Sequence, residues 1–474
     1  MLTDPPLRRT KIVATLGPAS SSPEVMRALI TAGMDVARLN FSHGNYEDHA
    51  ARITQLRQIA AELDKPVTIL QDLQGPKVRV GALPSGEILL EAGGVVEIVP
   101  EAEATGQPGE IPVDYPSAAE EAKAGMTVLL ADGLFELKIE EVVGSRLRCR
   151  VVEGGKLSSR KGVNFPELRL RLPSVTEKDR RDVEFGLSQR VDWISLSFVR
   201  SAEDVRTLKD LLAQHGSSTP VMAKIEKPQA LENLEEIVEV ADGIMVARGD
   251  MGVEMSPEKV PMAQKRIIEL CNRKGAPVIT ATQMLESMIN EPRPTRAEAS
   301  DVANAIIDGT DAVMLSGESA IGRFPVRAVG MMSRIAREVE AKITFKCYPS
   351  PDHSDIRALG EATSVLAREL QPRCIAVHTT SGHTAHRIAA QRPKALVLAI
   401  TTDEAVYHSL NLFWGLRPAL VRETPASFDE LVALAERAVR DRKIAETGDR
   451  ILVVGGVPPG VKRGSNFVKI HTMS

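Results

Sequence analysis

Eight short apolar runs, most of them followed by a longer amphipathic segment, recur through the first 320 residues, and that order constrains the chain more than any other feature. The runs occupy residues 11–16, 35–41, 67–72, 193–198, 221–226, 243–247, 277–282 and 312–316. Helical spacing of apolar residues marks 23–32, 46–63, 201–214, 258–273 and 325–341. Parallel strands need a crossover to bring the chain back to the same end, and eight βα units in succession are what a closed (β/α)8 barrel requires.

The spacing fails once. Between the third and fourth runs more than a hundred residues intervene, and their texture changes to alternating short strands with Gly turns, as in 87–100 and 126–143. An all-β insertion is expected there, with Pro76 and Pro173 near its joints. After about residue 342, a stretch containing Pro349 and Pro351 leads to a second α/β series with strands at 374–379, 395–401, 420–423, 451–455 and 467–471. The expected fold class is α/β: a TIM barrel (1–75 and 173–342), an inserted all-β lid domain (76–172) and a C-terminal open-sheet α/β domain (343–474).

Composition narrows the partners. The 474 residues carry a net charge of only -4, so no whole-chain field gathers nucleic acid or an anionic membrane, and local groups must hold any anionic ligand. Every apolar run is broken by charge, Gly or Pro before it reaches bilayer-spanning length. Cys149, Cys271, Cys347 and Cys374 show no paired spacing and read as buried, reduced thiols. With no signal-peptide profile at the start, a cytoplasmic protein is expected.

In a (β/α)8 barrel the loops converge only at the C-terminal ends of the strands, and there this chain concentrates its polar residues. The second run ends Arg38-Leu-Asn-Phe-Ser-His43, the third at Asp72, the fifth Lys224-Ile-Glu226, the sixth Arg248-Gly-Asp250 and the seventh at Thr282. Alternation along a strand groups Arg38 with Asn40 and Ser42, and Lys224 with Glu226. Glu226 and Asp250 suit Mg2+, which takes one or two carboxylates and leaves other positions to water and substrate oxygens. An ordinary ion-pair network with Arg248 and Lys224 is the plain alternative. Lys224 and Arg38 supply positive charge where a phosphoryl group in flight spreads negative charge, and Gly249 lets backbone N–H groups approach an anion. His378, His383 and His386 straddle a strand, a turn and a helix start without a carboxylate, and read as surface histidines. No phosphate-binding glycine loop of the usual nucleotide-binding kinds is present.

The blocks Arg38-Leu-Asn-Phe-Ser-His-Gly, Lys224-Ile-Glu-Lys-Pro, Met245-Val-Ala-Arg-Gly-Asp-Met-Gly-Val-Glu and Ala281-Thr-Gln-Met-Leu-Glu-Ser-Met together closely resemble pyruvate kinase. The likeness continues through Pro294-Thr-Arg-Ala-Glu and Met314-Leu-Ser-Gly-Glu. It implies transfer of the phosphoryl group of phosphoenolpyruvate to ADP, giving pyruvate and ATP. Glu226 and Asp250 would hold Mg2+, or Mn2+ in its place, and Lys224 would stabilise the transition state. Arg38, Gly249, Asp250 and Thr282 would bind substrate, Thr282 lying where the enolate is protonated. Asn40, His43, Arg79 and Lys161 would approach the nucleotide phosphates, with a second Mg2+ arriving on ADP. A homotetramer is implied by the same analogy.

Three departures matter. Members that use K+ hold it at positions matching Asn40, Ser42, Asp72 and a following Thr; here that residue is Leu73, and Lys77 replaces a Glu. An ammonium could stand in for the ion, so activity without K+ is expected. The lid carries Ala131-Asp132-Gly133 where many relatives double the Asp. Thr379, Thr380, Ser381, Gly382 and Thr384 resemble an effector phosphate loop, with Lys462 and Arg463 adding charge, so a phosphorylated metabolite is expected as activator. A Mg2+-dependent 2-oxo acid lyase and a silent sugar-phosphate sensor are the rival readings. Lys224, Arg79 and the lid speak against the first, and the filled catalytic positions against the second.

Overall fold

The computed structural model describes residues 8–168, 171–348, 354–458 and 464–474. The prolines at 349 and 351, Lys462 and Arg463 fall outside these. Eight parallel strands close into a barrel: Lys11–Thr15, Val36–Asn40, Thr68–Asp72, Trp193–Leu196, Val221–Ile225, Gly243–Ala247, Val278–Ala281 and Ala312–Leu315. Each strand pairs with its neighbours in sequence, and the first pairs with the eighth through Lys11↔Ala312 to Ala14↔Leu315. Their residues are almost all buried, because strands with helices on one side and a filled interior on the other have no wet face.

Local chemistry fixes where the barrel helices begin and end. Ser22 accepts a hydrogen bond from the Val25 amide at the start of Pro23–Ala32, and Thr295 and Glu298 form a reciprocal cap on Arg296–Asp308. Such caps are worth about 1 kcal/mol each. Arg296–Asp308 stops at Gly309, whose φ of +101° is open to glycine at little steric cost.

The insertion forms a six-stranded sheet and a two-stranded ribbon, Glu87–Leu90 with Gly155–Ser158, around their own apolar core of Val80, Ile98, Leu137, Cys149 and Phe165 among others. The C-terminal part is a five-stranded sheet in the order Leu416–Leu420, Leu396–Thr401, Cys374–His378, Arg450–Gly455, Phe467–Thr472, with only the last strand antiparallel. It docks on the N-terminal end of the barrel. Trp193 donates to the Ser409 carbonyl, Asn411 donates to the carbonyls of Asp35 and Pro66, and Lys11 Nζ reaches Asn411 Oδ1 and the Leu416 carbonyl. The interior of the barrel (Val13, Leu70, Trp193, Met222, Met245) is therefore continuous with the core of the C-terminal sheet (Ile375, Val377, Leu452). One mouth is plugged and only the other is free for chemistry.

Three expectations need correction. The third C-terminal strand is Leu416–Leu420, not 420–423; it is an edge strand, where Pro418 costs no ladder bond on its outer side. Cys347 is exposed, while Cys149, Cys271 and Cys374 are buried. Of the three histidines at 378, 383 and 386, His383 alone is at the surface: His378 bonds to the Leu431 carbonyl and His386 to the Gly275 carbonyl across the interface with the barrel. Burial drives their pKa values down, to about 4 for His378 and about 3 for His386. Among the described residues no helix is long and apolar enough to cross a membrane.

Candidate active site

At the free mouth, the ends of the second, third, fourth and fifth strands assemble a buried charge cluster. Arg38 points its guanidinium at Asp72, with Nε 2.7 Å from Oδ2, and Nη1 donates to Thr15 Oγ1 at 2.8 Å. Lys224 Nζ sits 3.3 Å from Asp72 and 3.0 Å from Glu226 Oε1, and donates to Ser197 Oγ at 2.7 Å. Burial pushes the Asp72 carboxyl up, but Lys224, Arg38 and the Ser195 hydroxyl outweigh it and hold the group below its ordinary range. Burial likewise opposes charge on Lys224, yet Asp72 and Glu226 keep the ammonium above the usual lysine range. Arg38 and Lys224 thus share one buried aspartate.

Glu226 is different. Burial pushes its pKa up to about 7, with Asp250 adding to the shift and Lys224 opposing it. The Phe198 amide donates to Oε2 at 2.8 Å, while Oε1 has the Lys224 ammonium close by but no aligned donor. A buried carboxylate oxygen with no aligned donor, with a second carboxylate near enough to raise its pKa, fits a hard divalent cation better than a finished ion pair. The plain network alternative is realised only in part: Lys224 does pair with Glu226, but Arg248 turns away to a bidentate contact with Asp301 at 2.7 and 2.8 Å. Among the described residues no three His, Cys, Asp or Glu side chains converge, so the cation would rest on two carboxylates.

Gly249 and Asp250 follow the strand Gly243–Ala247 and lie in the first turn of the helix Arg248–Glu254. There the Gly249 amide donates to Thr282 Oγ1 at 2.7 Å. Thr282 has φ +68° and Gln283 φ +54°, unusual for a β-branched residue and its neighbour. The Arg248 guanidinium holds this turn by donating to the carbonyls of Ala281 and Thr282.

The nucleotide-side positions divide into two groups. Asn40 is half-buried and its Oδ1 accepts from the Ser42 amide, so Ser42 begins a turn and does not extend the strand; His43 beyond it is exposed. Arg79 and Lys161 come together at the base of the lid, where Arg79 bridges Gly162 and the Val80 amide bonds to the Lys161 carbonyl. Lys77 makes its ion pair with Asp132 of the lid at 3.1 Å and not with Asp72, because it points up toward the insertion. Leu73 is buried, and its carbonyl accepts from Ser197.

In the C-terminal part, Thr379 Oγ1 accepts from the Gly382 amide and the exposed Thr380 and Ser381 form the turn before the helix His383–Ala390. Thr384 is buried and bonded to Ser465, so its hydroxyl braces the loop from behind.

Two contributors were missed from sequence: Ser195 donates to Asp72 at 2.6 Å, and Ser197 holds Lys224. Their period-two spacing at the end of the fourth run puts both on the inner face, a signal that was available.

The comparisons with known proteins agree along the whole chain. Residues 7–329 match the family model described as pyruvate kinase, barrel domain, and 357–471 match pyruvate kinase, alpha/beta domain. Pyruvate kinase 2 of Synechocystis sp. is 46% identical over all of this chain and 80% of its own length. The pyruvate kinases of Sporosarcina psychrophila and Staphylococcus aureus are each 44% identical over 98% of this chain, and over 81% and 80% of their own lengths. With a closed eight-stranded barrel, a β-rich insertion at its mouth and an α/β domain beneath it, the chain belongs to the pyruvate kinase family of phosphotransferases.

Proposed function

We propose that this chain moves the phosphoryl group of phosphoenolpyruvate to ADP, releasing pyruvate and ATP. The observation that carries the reading is the buried group of Lys224, Arg38, Asp72 and Glu226 at the one open end of the barrel. In-line phosphoryl transfer asks for positioned positive charge and excluded water, not a protein nucleophile. Lys224, its ammonium held above the usual lysine range, and Arg38 would face the equatorial oxygens in flight. Gly249, whose amide holds Thr282 Oγ1 at 2.7 Å, would bind substrate beside Asp250, and Thr282 would protonate the departing enolate. Glu226 and Asp250 would hold a divalent cation, Mg2+ or Mn2+, which would supply neutralisation of the substrate's negative charge. Asn40, His43, Arg79 and Lys161 would receive the ADP phosphates, Arg79 and Lys161 swinging in with the lid, taken as residues 76–172.

Turnover is proposed to be independent of K+. Asp72 is already neutralised by two cations, and buried Leu73 offers no side-chain oxygen. We also infer activation by a phosphorylated metabolite at the Thr379–Gly382 turn, a homotetrameric assembly and a cytoplasmic setting. A coupled assay of pyruvate released from phosphoenolpyruvate with and without ADP tests the main reading. Strict ADP dependence supports it, whereas release without ADP would favour a lyase or a phosphatase.

A further inference from the structure

Behind the carboxylates lies a second buried charge cluster that the reaction does not use. Lys227 and Glu254 are 7% and 3% exposed and pair at 2.8 Å. The same Glu254 oxygen accepts from Asn164 Nδ2 at 2.7 Å, and Asn164, itself 8% exposed, belongs to the lid. A buried pair with a third partner carried by another part of the molecule is costly to assemble unless it fixes something.

What it fixes can be traced on both sides. Lys227 follows directly on Glu226, and its ammonium lies 5.9 Å from the ring centre of Phe198, the residue whose amide donates to Glu226 Oε2. Glu254 closes the short helix whose first turn carries Gly249 and Asp250. The Lys227–Glu254 bond therefore ties the segment bearing Glu226 to the helix bearing Asp250. Asn164 adds a donor to it only while the lid lies against the barrel.

We infer that Glu254 is a positioning residue for the divalent-cation site, setting the spacing of Asp250 and Glu226, and that Asn164 makes this spacing depend on the lid. The inference rests on the reading of Glu226 and Asp250 as cation ligands. Groups one step behind metal ligands typically change affinity about 10–100-fold when removed.

The test is Mn2+ binding to the full chain without substrate, followed by electron paramagnetic resonance of free Mn2+, with circular dichroism as a check on folding. Glu254→Gln should raise the Mn2+ Kd about tenfold or more. Asn164→Ala keeps the Lys227 pair and should raise it by a smaller factor, with Asn164→Asp, which sets a like charge beside Glu254, worse than Ala. In turnover, both should raise the Mg2+ concentration for half-maximal rate more than KM for phosphoenolpyruvate. A merely structural role would lower the melting temperature and leave Kd unmoved. Folded Glu254→Gln or Asn164→Ala with parental Mn2+ affinity, while Asp250→Asn loses it, overturns this inference alone. Parental protein that binds no Mn2+, or binds it equally well as Asp250→Asn, overturns the ligand reading and this inference with it. Should Glu254→Gln fail to fold, the Asn164 pair of variants decides.

Discussion

Replacing Lys224 by Met removes the ammonium and keeps most of the side-chain volume, so it isolates the charge. In the folded chain Lys224 is 8% exposed, and its ammonium lies 3.0 Å from Glu226, 3.3 Å from Asp72 and 2.7 Å from Ser197. Removing one preorganised donor from a water-poor site costs about 3–4 kcal/mol of transition-state stabilisation, or about 10²–10³ in kcat. The penalty in stability should be smaller than the ~3–5 kcal/mol for breaking a buried pair, because neither carboxylate is stranded. Asp72 retains Arg38, and Glu226, already at about 7, takes up a proton more readily once Lys224 is gone. A loss on the order of 1–2 kcal/mol is expected. Lys224→Arg should not rescue the rate, since a planar fork does not fit where Ser197 and two carboxylates surround a compact ammonium. The assay is pyruvate formation coupled to NADH oxidation, with kcat and KM resolved separately and melting followed in parallel. A kcat within about tenfold of the parent, or a loss confined to KM, would refute the role given to this charge.

Three further outcomes are expected. In Na+ or tetramethylammonium buffers the enzyme should run near its full rate; a rise above about tenfold on adding K+, worth 1.4 kcal/mol of barrier, would count against the balanced Asp72. Burial holds His378, His386 and His408 neutral, with pKa values near 4, 3 and 3 against 6.5 for the free side chain. The unfolded chain therefore binds protons first, and stability should fall as pH drops below about 6.5, by about 2 kcal/mol per histidine by pH 5. His386→Asn, read by proton uptake on unfolding, should remove about one proton of that dependence. Gly186→Ala in the helix Glu177–Ser188 should destabilise by about 1–3 kcal/mol although alanine favours helices, because its Cβ would lie 1.9 Å from Oε1 of fully buried Gln71; an unchanged melting temperature would contradict that packing.

The barrel was legible because each strand is a short β-branched run and each crossover an amphipathic one, so two periodicities alternate along the chain. The insertion was legible because that alternation stops. The site was readable to the extent that it sits at strand ends: Arg38, Asp72, Lys224 and Glu226 do meet. What sequence hid depends on segments far apart in the chain. His386 looked like a surface residue because its partner, the Gly275 carbonyl, lies 111 residues away. The strand Leu416–Leu420 was displaced because Pro418 reads as a breaker, and only its edge position in the sheet makes that proline harmless. Lys77 was expected near Asp72 by position, but a four-carbon stem at a domain joint reaches whichever carboxylate the fold supplies, here Asp132. Ser197 carried no motif and was visible only as every second residue of a strand.

The third and fourth barrel strands are hydrogen-bonded neighbours, and Asp192 caps the Ile69 amide across 123 residues of chain. Closing so long a loop is slow and entropically costly for a disordered segment. The insertion removes most of that delay if it folds first, since its own ends meet where Arg79 bridges Gly162. A newly made chain would then hold its first three strands in waiting while the β-rich segment collapses beside them. The fourth strand would arrive already close to its place.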